Sequence, residues 1–274
     1  MGSYPSPPQP EVLPPVSDSV PPQRGRRSVW AAAPATHLLV GINCAVFVAM
    51  VARGISIWMP TTEQLMNWGA NSAGNVLLGG QWWRIVTAMF VHVGILHLAT
   101  NMWCLWNLGL LAEPLIDSFG LIALYILTGA AGNLLSVLYN WYKFHDVSTF
   151  PAGAGASGAV FGIAGALIVL LRSKQLPVPP DEVRRLRKSV IYFAAINLVI
   201  GLCVNFGSGF TGVEVDNSAH IGGCICGLLF AAPMVPRIGA RRSEFQFKLR
   251  LSVAMVVLLL VLFGFFLAQL PPRS

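Results

Sequence analysis

The segment 151–166, PAGAGASGAVFGIAGA, places a single hydroxyl among very small side chains. Ser157 lies among eleven Gly and Ala residues at the start of an apolar helix. Gly158 and Gly162 form a G-x-x-x-G pair, a pattern that allows a neighbouring helix to approach closely. A serine hydroxyl becomes a nucleophile when a base lies beside it. We therefore expect a partner helix that carries such a base.

The partner helix is predicted to follow Asp216, in the sequence AHIGGCICG. It contains a second glycine pair, Gly223 and Gly227, and His220 lies one turn before that pair. If the two glycine faces pack together, Ser157 and His220 lie near the same ends of adjacent helices, where the imidazole can accept the hydroxyl proton. The alternative interpretation is that Ser157 is only a small packing residue.

Composition places these helices in a membrane, because 55% of the residues are hydrophobic and only 11% are charged. Seven stretches have the length and low charge of membrane spans. The fourth and sixth are short, as expected for helices inside a bundle. The sequence therefore predicts an all-α polytopic membrane protein with spans at 36–52, 92–111, 120–140, 156–171, 189–206, 217–235 and 249–269.

The remaining segments define the predicted domains. Residues 1–28 are rich in proline and poor in apolar side chains, so we expect a disordered tail and not a signal peptide. Residues 29–236 form a predicted six-span core. Residues 237–274 contribute a basic loop and a seventh span.

The distribution of positive charge predicts the orientation in the membrane. Of 18 Lys and Arg residues, 14 fall in the tail, in the 172–188 loop and in the 237–250 segment. Seven spans place these regions on one side, so the positive-inside rule predicts a cytoplasmic N-terminus and an outer C-terminus. The net charge of +7 then reflects topology and anionic lipid, and no nucleic-acid partner is expected.

The same topology brings polar residues from three spans to one level below the outer surface. The second span begins with His92, His97 and Asn101, and the last two share a helix face. Ionisable groups at membrane depth are costly and usually functional. One alternative to a catalytic role is that these residues only form hydrogen bonds between helices.

The other alternative is a zinc site of His92, His97 and His220. The five-residue spacing of His92 and His97 argues against it, as does the lack of Asp, Glu or Cys at that level of the second span.

Cysteine and tryptophan usage adds two expectations. The five cysteines all fall inside spans and form no C-x-x-C, so they are interpreted as core residues. Four of the eight tryptophans lie in the 53–91 loop, which is typical of a segment in the outer lipid interface.

In combination and order, these residues resemble the rhomboid family of intramembrane serine proteases. The resemblance covers about residues 36–236, and the added span resembles a bacterial form with one helix after the core. It is carried by Trp83 and Arg84, by His92, His97 and Asn101, by Glu113, by G-x-S-G at 155–158, and by H-x-x-G-x-x-x-G at 220–227.

The resemblance implies that Ser157 is the nucleophile and His220 the base, while His97 and Asn101 help to hold the oxyanion. Many family members have a tyrosine at the position of Phe161, which can still stack on the histidine but cannot donate a hydrogen bond. Supporting roles are expected for His92, Gly155, Gly158, Phe161, Gly223 and Gly227.

The implied reaction is cleavage of a single-pass transmembrane protein near the outer membrane face by a Ser-His dyad without metal or other cofactor. Asp216 is interpreted as a helix cap and not as a third catalytic residue. The loop 207–216 is expected to be a mobile cap over the site, and the bilayer is expected to be the bacterial inner membrane. Two other classes remain open: a non-catalytic rhomboid-like helix-binding protein, and a transporter with a polar midplane site, for which no inverted repeat is evident.

Overall fold

The computed structural model describes residue 2 and residues 33–146, 149–211 and 215–271. Apart from Gly2, the predicted tail 1–28 lies outside the described residues. Within these ranges the chain is all-α, and its only strand-like feature is an isolated antiparallel bridge between Asn71 and Gly153.

Six major helices follow the predicted spans, and a group of short helices lies between the first two. The major helices are α1 (Pro34–Ala52), α5 (Ile95–Lys143), α6 (Ser157–Leu170), α7 (Pro180–Thr211), α8 (Asn217–Ala231) and α9 (Arg242–Ala268). The short ones are α2 (Thr62–Asn67), α3 (Ala73–Leu77), α4 (Arg84–Thr87) and a 3₁₀ turn at Ala88–Phe90.

Helix α5 contains the second and third predicted spans. It consists of two helices that meet at Asp117, whose φ of 60° and ψ of 176° are not helical. Its first half begins at Ile95 and therefore excludes His92 from the helix, and its second half continues to Lys143, beyond the predicted end at residue 140. The predicted boundary between the two spans is thus a kink between two helices, at Asp117.

Four described helices, α1, α5, α9 and residues Pro180–Asn205 of α7, are long and apolar enough to cross a membrane. Helices α6 and α8 are shorter apolar helices of 14 and 15 residues. Eleven residues of α6 are buried, as the sequence analysis expected for a helix inside the bundle. A short helix can lie at membrane depth because its neighbours, and not lipid, surround it.

Two predicted boundaries in the second half of the chain are wrong. Helix α7 begins at Pro180, so the basic residues 184–188 belong to a helix and not to a loop. It also continues to Thr211, so the first half of the expected loop 207–216 is helical. Residues 212–214 lie outside the described part, and the mobility of that loop stays a prediction. Asp181 and Glu182 in the first turn favour the earlier start because acidic side chains stabilise a helix N-terminus.

A carboxylate from α5 caps the start of α1. No side chain of α1 itself provides a cap. Instead, Glu113 accepts hydrogen bonds from the backbone N–H groups of Ala35 and Thr36, at 2.9 and 2.8 Å, and from the hydroxyls of Thr36 and Ser118, both at 2.7 Å. Glu113 is only 3% exposed, so these four donors satisfy a charge that water cannot reach. The first span is thereby tied to the second.

The segment between α1 and α5 is held by Arg84. Its guanidinium donates to the carbonyls of Met66 and Ala70, at 2.7 and 2.9 Å, and to the side chain of Gln81 at 2.6 Å. Trp58 and Trp83 of this segment are more than half exposed, whereas Trp68 and Trp82 are half-buried. Exposed indoles on an anchored segment agree with the expected position in a lipid interface, which stays a prediction.

Candidate active site

The glycine pairs of α6 and α8 lie against each other, as the sequence predicted. A Cβ atom on Gly223 would overlap the carbonyl of Gly158, and one on Gly227 would overlap the carbonyl of Gly162. The two backbones therefore touch at two successive turns, which only glycine permits. This contact places the first turns of α6 and α8 side by side.

His220 lies in that first turn of α8, directly beside the first turn of α6. Its ring stacks on Phe161, with centroids 4.3 Å apart and planes 9° apart, and its exposed fraction is 7%. Phe161 is one turn after Ser157 on the same helix. The Ala219 carbonyl lies 3.4 Å from a Cβ built on Gly158, so the backbones that carry Ser157 and His220 are neighbours.

Among the described residues, no hydrogen bond joins the Ser157 hydroxyl to the His220 ring, although the backbones that carry them are neighbours. Ser157 is half-buried, and Nδ1 of His220 is buried without a partner. Catalytic hydrogen bonds are often long in the absence of substrate and shorten when it binds. The lack of a bond in the absence of substrate is therefore compatible with a catalytic dyad.

His97 reaches the same place from the start of α5. Its ring packs on Gly155, two residues before Ser157: a Cβ on Gly155 would lie 2.6 Å from Cε1 and 3.0 Å from Nε2 of His97. Gly155 also has a φ of 127°, which side chains of L-residues rarely adopt. Glycine at this position is therefore required both by the backbone and by the imidazole beside it.

The hydrogen bonds of His97 determine which ring nitrogen can donate. The backbone N–H of Val93 donates to Nδ1 at 3.3 Å, so Nδ1 is an acceptor and the neutral ring carries its proton on Nε2. Nε2 lies 3.0 Å from a Cβ built on Gly155, second to Cε1 at 2.6 Å. His97 thus holds its Nε2–H donor beside the segment that leads to Ser157.

Asn101 lies one turn further along α5 and is buried, with 6% exposed. Its amide nitrogen donates to the carbonyl of His97 at 2.9 Å. The expected oxyanion donor is therefore near the site, but one of its two N–H groups is bonded to its own helix. The second N–H group remains the candidate donor.

The start of α6 offers further donors. The first N–H groups of an α-helix have no partner within the helix, and no side chain caps those of α6. The preceding segment is held in place because Gly155 N–H donates to the Ala88 carbonyl at 2.9 Å and Gly153 pairs with Asn71 in both directions. The backbone before Ser157 is thus fixed before substrate arrives.

His92 differs from the expectation based on helical spacing. It precedes α5, and its ring lies beside that of His97, with centroids 5.3 Å apart. Its Nδ1 lies 3.3 Å from the Phe90 carbonyl, and its fully buried Nε2 has no partner. The argument that spacing on one helix separates the two rings is therefore wrong. Across the described ranges, no three His, Cys, Asp or Glu side chains converge as a metal site requires.

Several residues that shape the site were missed in the sequence. Gly132 on the second half of α5 packs under both the Ala219 carbonyl and Cα of Gly158. Ser136, on the same helix, donates to the Asp216 carboxylate at the start of α8. Small and polar residues at spacings of four, here 132, 136 and 140, were the signal that could have identified this face.

The fold and the site together define a class: an all-α, multi-pass membrane protein with a serine and a histidine on adjacent short helices. The family model described as Rhomboid domain matches residues 79–237, which include Ser157, His220, His97 and Asn101. The chain belongs to the rhomboid family.

Individual relatives agree with this assignment. The chain is 32% identical over 206 residues to Rhomboid protease GluP of Bacillus subtilis (strain 168), and 31% identical over 205 residues to Rhomboid protease AarA of Providencia stuartii. These matches cover 75% and 72% of this chain, but 36% of GluP and 70% of AarA. RHOMBOID-like protein 6, mitochondrial, of Arabidopsis thaliana is 32% identical over 182 residues, 66% of this chain and 53% of that protein.

Proposed function

We propose that this protein is an intramembrane serine endopeptidase that uses Ser157 as nucleophile and His220 as general base. The observation that best supports the proposal is the contact between the first turns of α6 and α8, the turns that carry Ser157 and the buried His220. Two relatives are named as rhomboid proteases, which supports the same reaction class. This chain spans about a third of the length of one of them.

The reaction follows from the chemistry of the two side chains. Ser157 Oγ attacks the scissile carbonyl while His220 takes the hydroxyl proton, and the imidazolium then gives that proton to the leaving amine. The acyl-enzyme is hydrolysed when His220 removes a proton from water. We propose a dyad because, within the described part of the chain, Nδ1 of His220 is buried without a carboxylate or other hydrogen-bond partner, while Phe161 stacks on the face of the ring.

Hydrogen-bond donors from two helices, α5 and α6, are proposed to stabilise the negative charge of the tetrahedral intermediate. His97 supplies Nε2–H, Asn101 supplies its second amide N–H, and the first turn of α6 supplies backbone N–H groups. Each such donor typically contributes about 3–4 kcal/mol to transition-state stabilisation.

The substrate class proposed is a single-pass transmembrane protein cut near the outer membrane face. An intact helix hides its carbonyls in hydrogen bonds, so a substrate helix must unwind locally before Ser157 can reach one. The chain is divided into a tail at 1–28, a six-span core at 29–236 and an added basic loop and span at 237–274. We assign the protein to a bacterial inner membrane with its N-terminus in the cytoplasm, because 14 of 18 basic residues then face inward.

Purified protein with a fluorescent transmembrane substrate tests this function. The wild type should release a fluorescent product within the membrane-spanning sequence, near its outer end and close to helix-breaking residues. Ser157→Ala should bind the substrate and leave it intact. Binding without cleavage by the folded wild type would instead assign a non-catalytic helix-binding function.

A further inference from the structure

We propose that Asp216 is a positioning residue. It fixes the start of α8, and with it the imidazole of His220, relative to α5 and to the 151–155 segment that leads to Ser157. This inference rests on the proposed dyad, in which the placement of His220 relative to Ser157 sets the rate. Among the described residues, Asp216 accepts no hydrogen bond from Ser157 or from the ring of His220, so we assign its positioning effect to the helix start; its charge also interacts electrostatically with that ring.

The first part of the argument is the cap. Oδ1 of Asp216 accepts a hydrogen bond from the N–H of Ala219 at 3.0 Å and another from the hydroxyl of Ser218. His220 N–H bonds to the Asp216 carbonyl at 3.2 Å, so the first turn of α8 is closed by this one residue. Capping alone would fix the internal geometry of α8 but not its position in the bundle.

The second part is the contact with α5. Oδ2 of Asp216 accepts a short hydrogen bond from Ser136, whose oxygen also accepts from Asn140 at 3.3 Å. Ser136 is 1% exposed and Asn140 is 9% exposed, so both lie within the bundle. Buried polar networks of this kind allow only one register between two helices, since a shift leaves a charge without a partner.

The third part is the segment that leads to Ser157. Oδ2 of Asp216 lies 3.6 Å from a Cβ built on Gly153, four residues before the serine. The same carboxylate therefore lies among the second half of α5, the 151–155 segment and the start of α8. No other carboxylate among the described residues accepts hydrogen bonds from both α5 and α8.

A neighbouring contact holds the chain just before Asp216. The side chain of Asn205 on α7 donates to the Val215 carbonyl at 2.7 Å and accepts from Val215 N–H at 2.6 Å. The residues that enter α8 are thus bonded on one side to α7 and on the other to α5. Loss of the Ser136 contact would remove the side-chain hydrogen bond that ties this helix start to α5, and its position would then depend on the Asn205 bonds and on backbone packing against α5 and α6.

The test compares Ser136→Ala, Asp216→Ala and Asp216→Asn with a matched control, Ser252→Ala. Ser252 is a fully buried serine on α9 whose hydroxyl donates to the Lys248 carbonyl at 2.9 Å, remote in the chain from the site. Two readouts are taken on the full-length protein in detergent. The first is the rate of fluorophosphonate labelling per folded molecule. The second is the NMR chemical shift of the His220 ring, which is sensitive to the ring current of the stacked Phe161.

We expect Ser136→Ala and Asp216→Ala to slow labelling by about tenfold and to move the His220 signal, with KM for a cleaved substrate unchanged within about twofold. Asp216→Asn should keep both readouts near wild type, because Asn caps equally well and can still bond Ser136. Ser252→Ala should change neither readout, whatever its melting temperature.

The two proposals fail separately. If the wild type labels and Ser136→Ala behaves like Ser252→Ala in both readouts, the positioning role of Asp216 is wrong and the dyad stands. If the wild type does not label but the His220 signal moves in Ser136→Ala and not in Ser252→Ala, the positioning role stands and the dyad is wrong.

Discussion

The imidazole of His220 lies flat on the ring of Phe161, with 4.3 Å between centroids and 9° between planes. The two residues belong to different helices, so the stack also reports the register between α6 and α8. An aromatic pair of this kind contributes about 0.5–1.5 kcal/mol beyond the area that it buries.

Phe161→Leu should lower the rate of substrate cleavage by roughly threefold to tenfold, because the ring of His220 loses the surface that fixes its plane. Phe161→Tyr should keep the rate within about twofold, since the stacking face is retained. The measurement is kcat for a transmembrane substrate. Equal rates for Phe161→Leu and the wild type would show that the stack does not position the base.

Asn101→Ala should lower turnover by about tenfold to a thousandfold with little change in melting temperature, because an oxyanion donor is lost. Asn107 provides a matched control on the same helix, since its amide nitrogen also donates to the carbonyl four residues earlier, at 2.7 Å. Asn107→Ala should therefore leave turnover unchanged. A similar loss of turnover in both variants would assign Asn101 to helix packing.

Gly223→Leu should weaken fluorophosphonate labelling, because even a Cβ at this position overlaps the Gly158 carbonyl and separates the helices that carry Ser157 and His220. Gly41→Ala is the control: nothing lies within 4 Å of a Cβ at Gly41, in the middle of α1. The control should label like the wild type. Full labelling of Gly223→Leu would show that the close approach of α6 and α8 is not needed.

Glu113→Ala should destabilise the protein by at least about 2 kcal/mol, because three donors at the start of α1 and one from Ser118 lose their acceptor. Thermal unfolding in detergent should show a fall of several degrees. Labelling of the remaining folded fraction should stay normal, since Glu113 is not part of the proposed site. A selective loss of labelling with unchanged melting temperature would contradict the capping role.

Chelators should not affect cleavage, because the proposed dyad uses no metal. The experiment incubates the protein with EDTA or phenanthroline before substrate is added. Loss of activity that zinc restores would mean that His92, His97 and His220 bind a metal during the reaction, and the mechanism would have to be replaced.

The sequence predicted those helix–helix contacts that depend on small residues. Two G-x-x-x-G pairs predict backbone contact whatever the rest of the bundle does, and the contacts of Gly223 and Gly227 with α6 follow that rule. The predicted topology also placed His97 and His220 at the same level of the membrane. The break at Asp117 was visible only as a boundary between two apolar stretches.

The sequence predicted the local cap at Asp216 but not the hydrogen bonds between distant helices. The bond from Ser136 to Asp216 joins residues that are 80 positions apart, and it depends on how far α5 and α8 slide along each other. The amide of Asn101 could have pointed to the substrate or to the His97 carbonyl without any change in pattern. The position of His92 was misjudged because the helix starts three residues later than the polar residues suggested.

The most direct test of the central claim is fluorophosphonate labelling of the folded protein, because the probe reacts with a serine only where a base and oxyanion donors are assembled. The account predicts that wild-type protein is labelled on Ser157, that Ser157→Ala is not labelled, and that His220→Ala is labelled at least about a hundredfold more slowly. Absence of labelling in folded wild type, or an equal rate in His220→Ala, would contradict the assignment of Ser157 and His220 as a catalytic dyad.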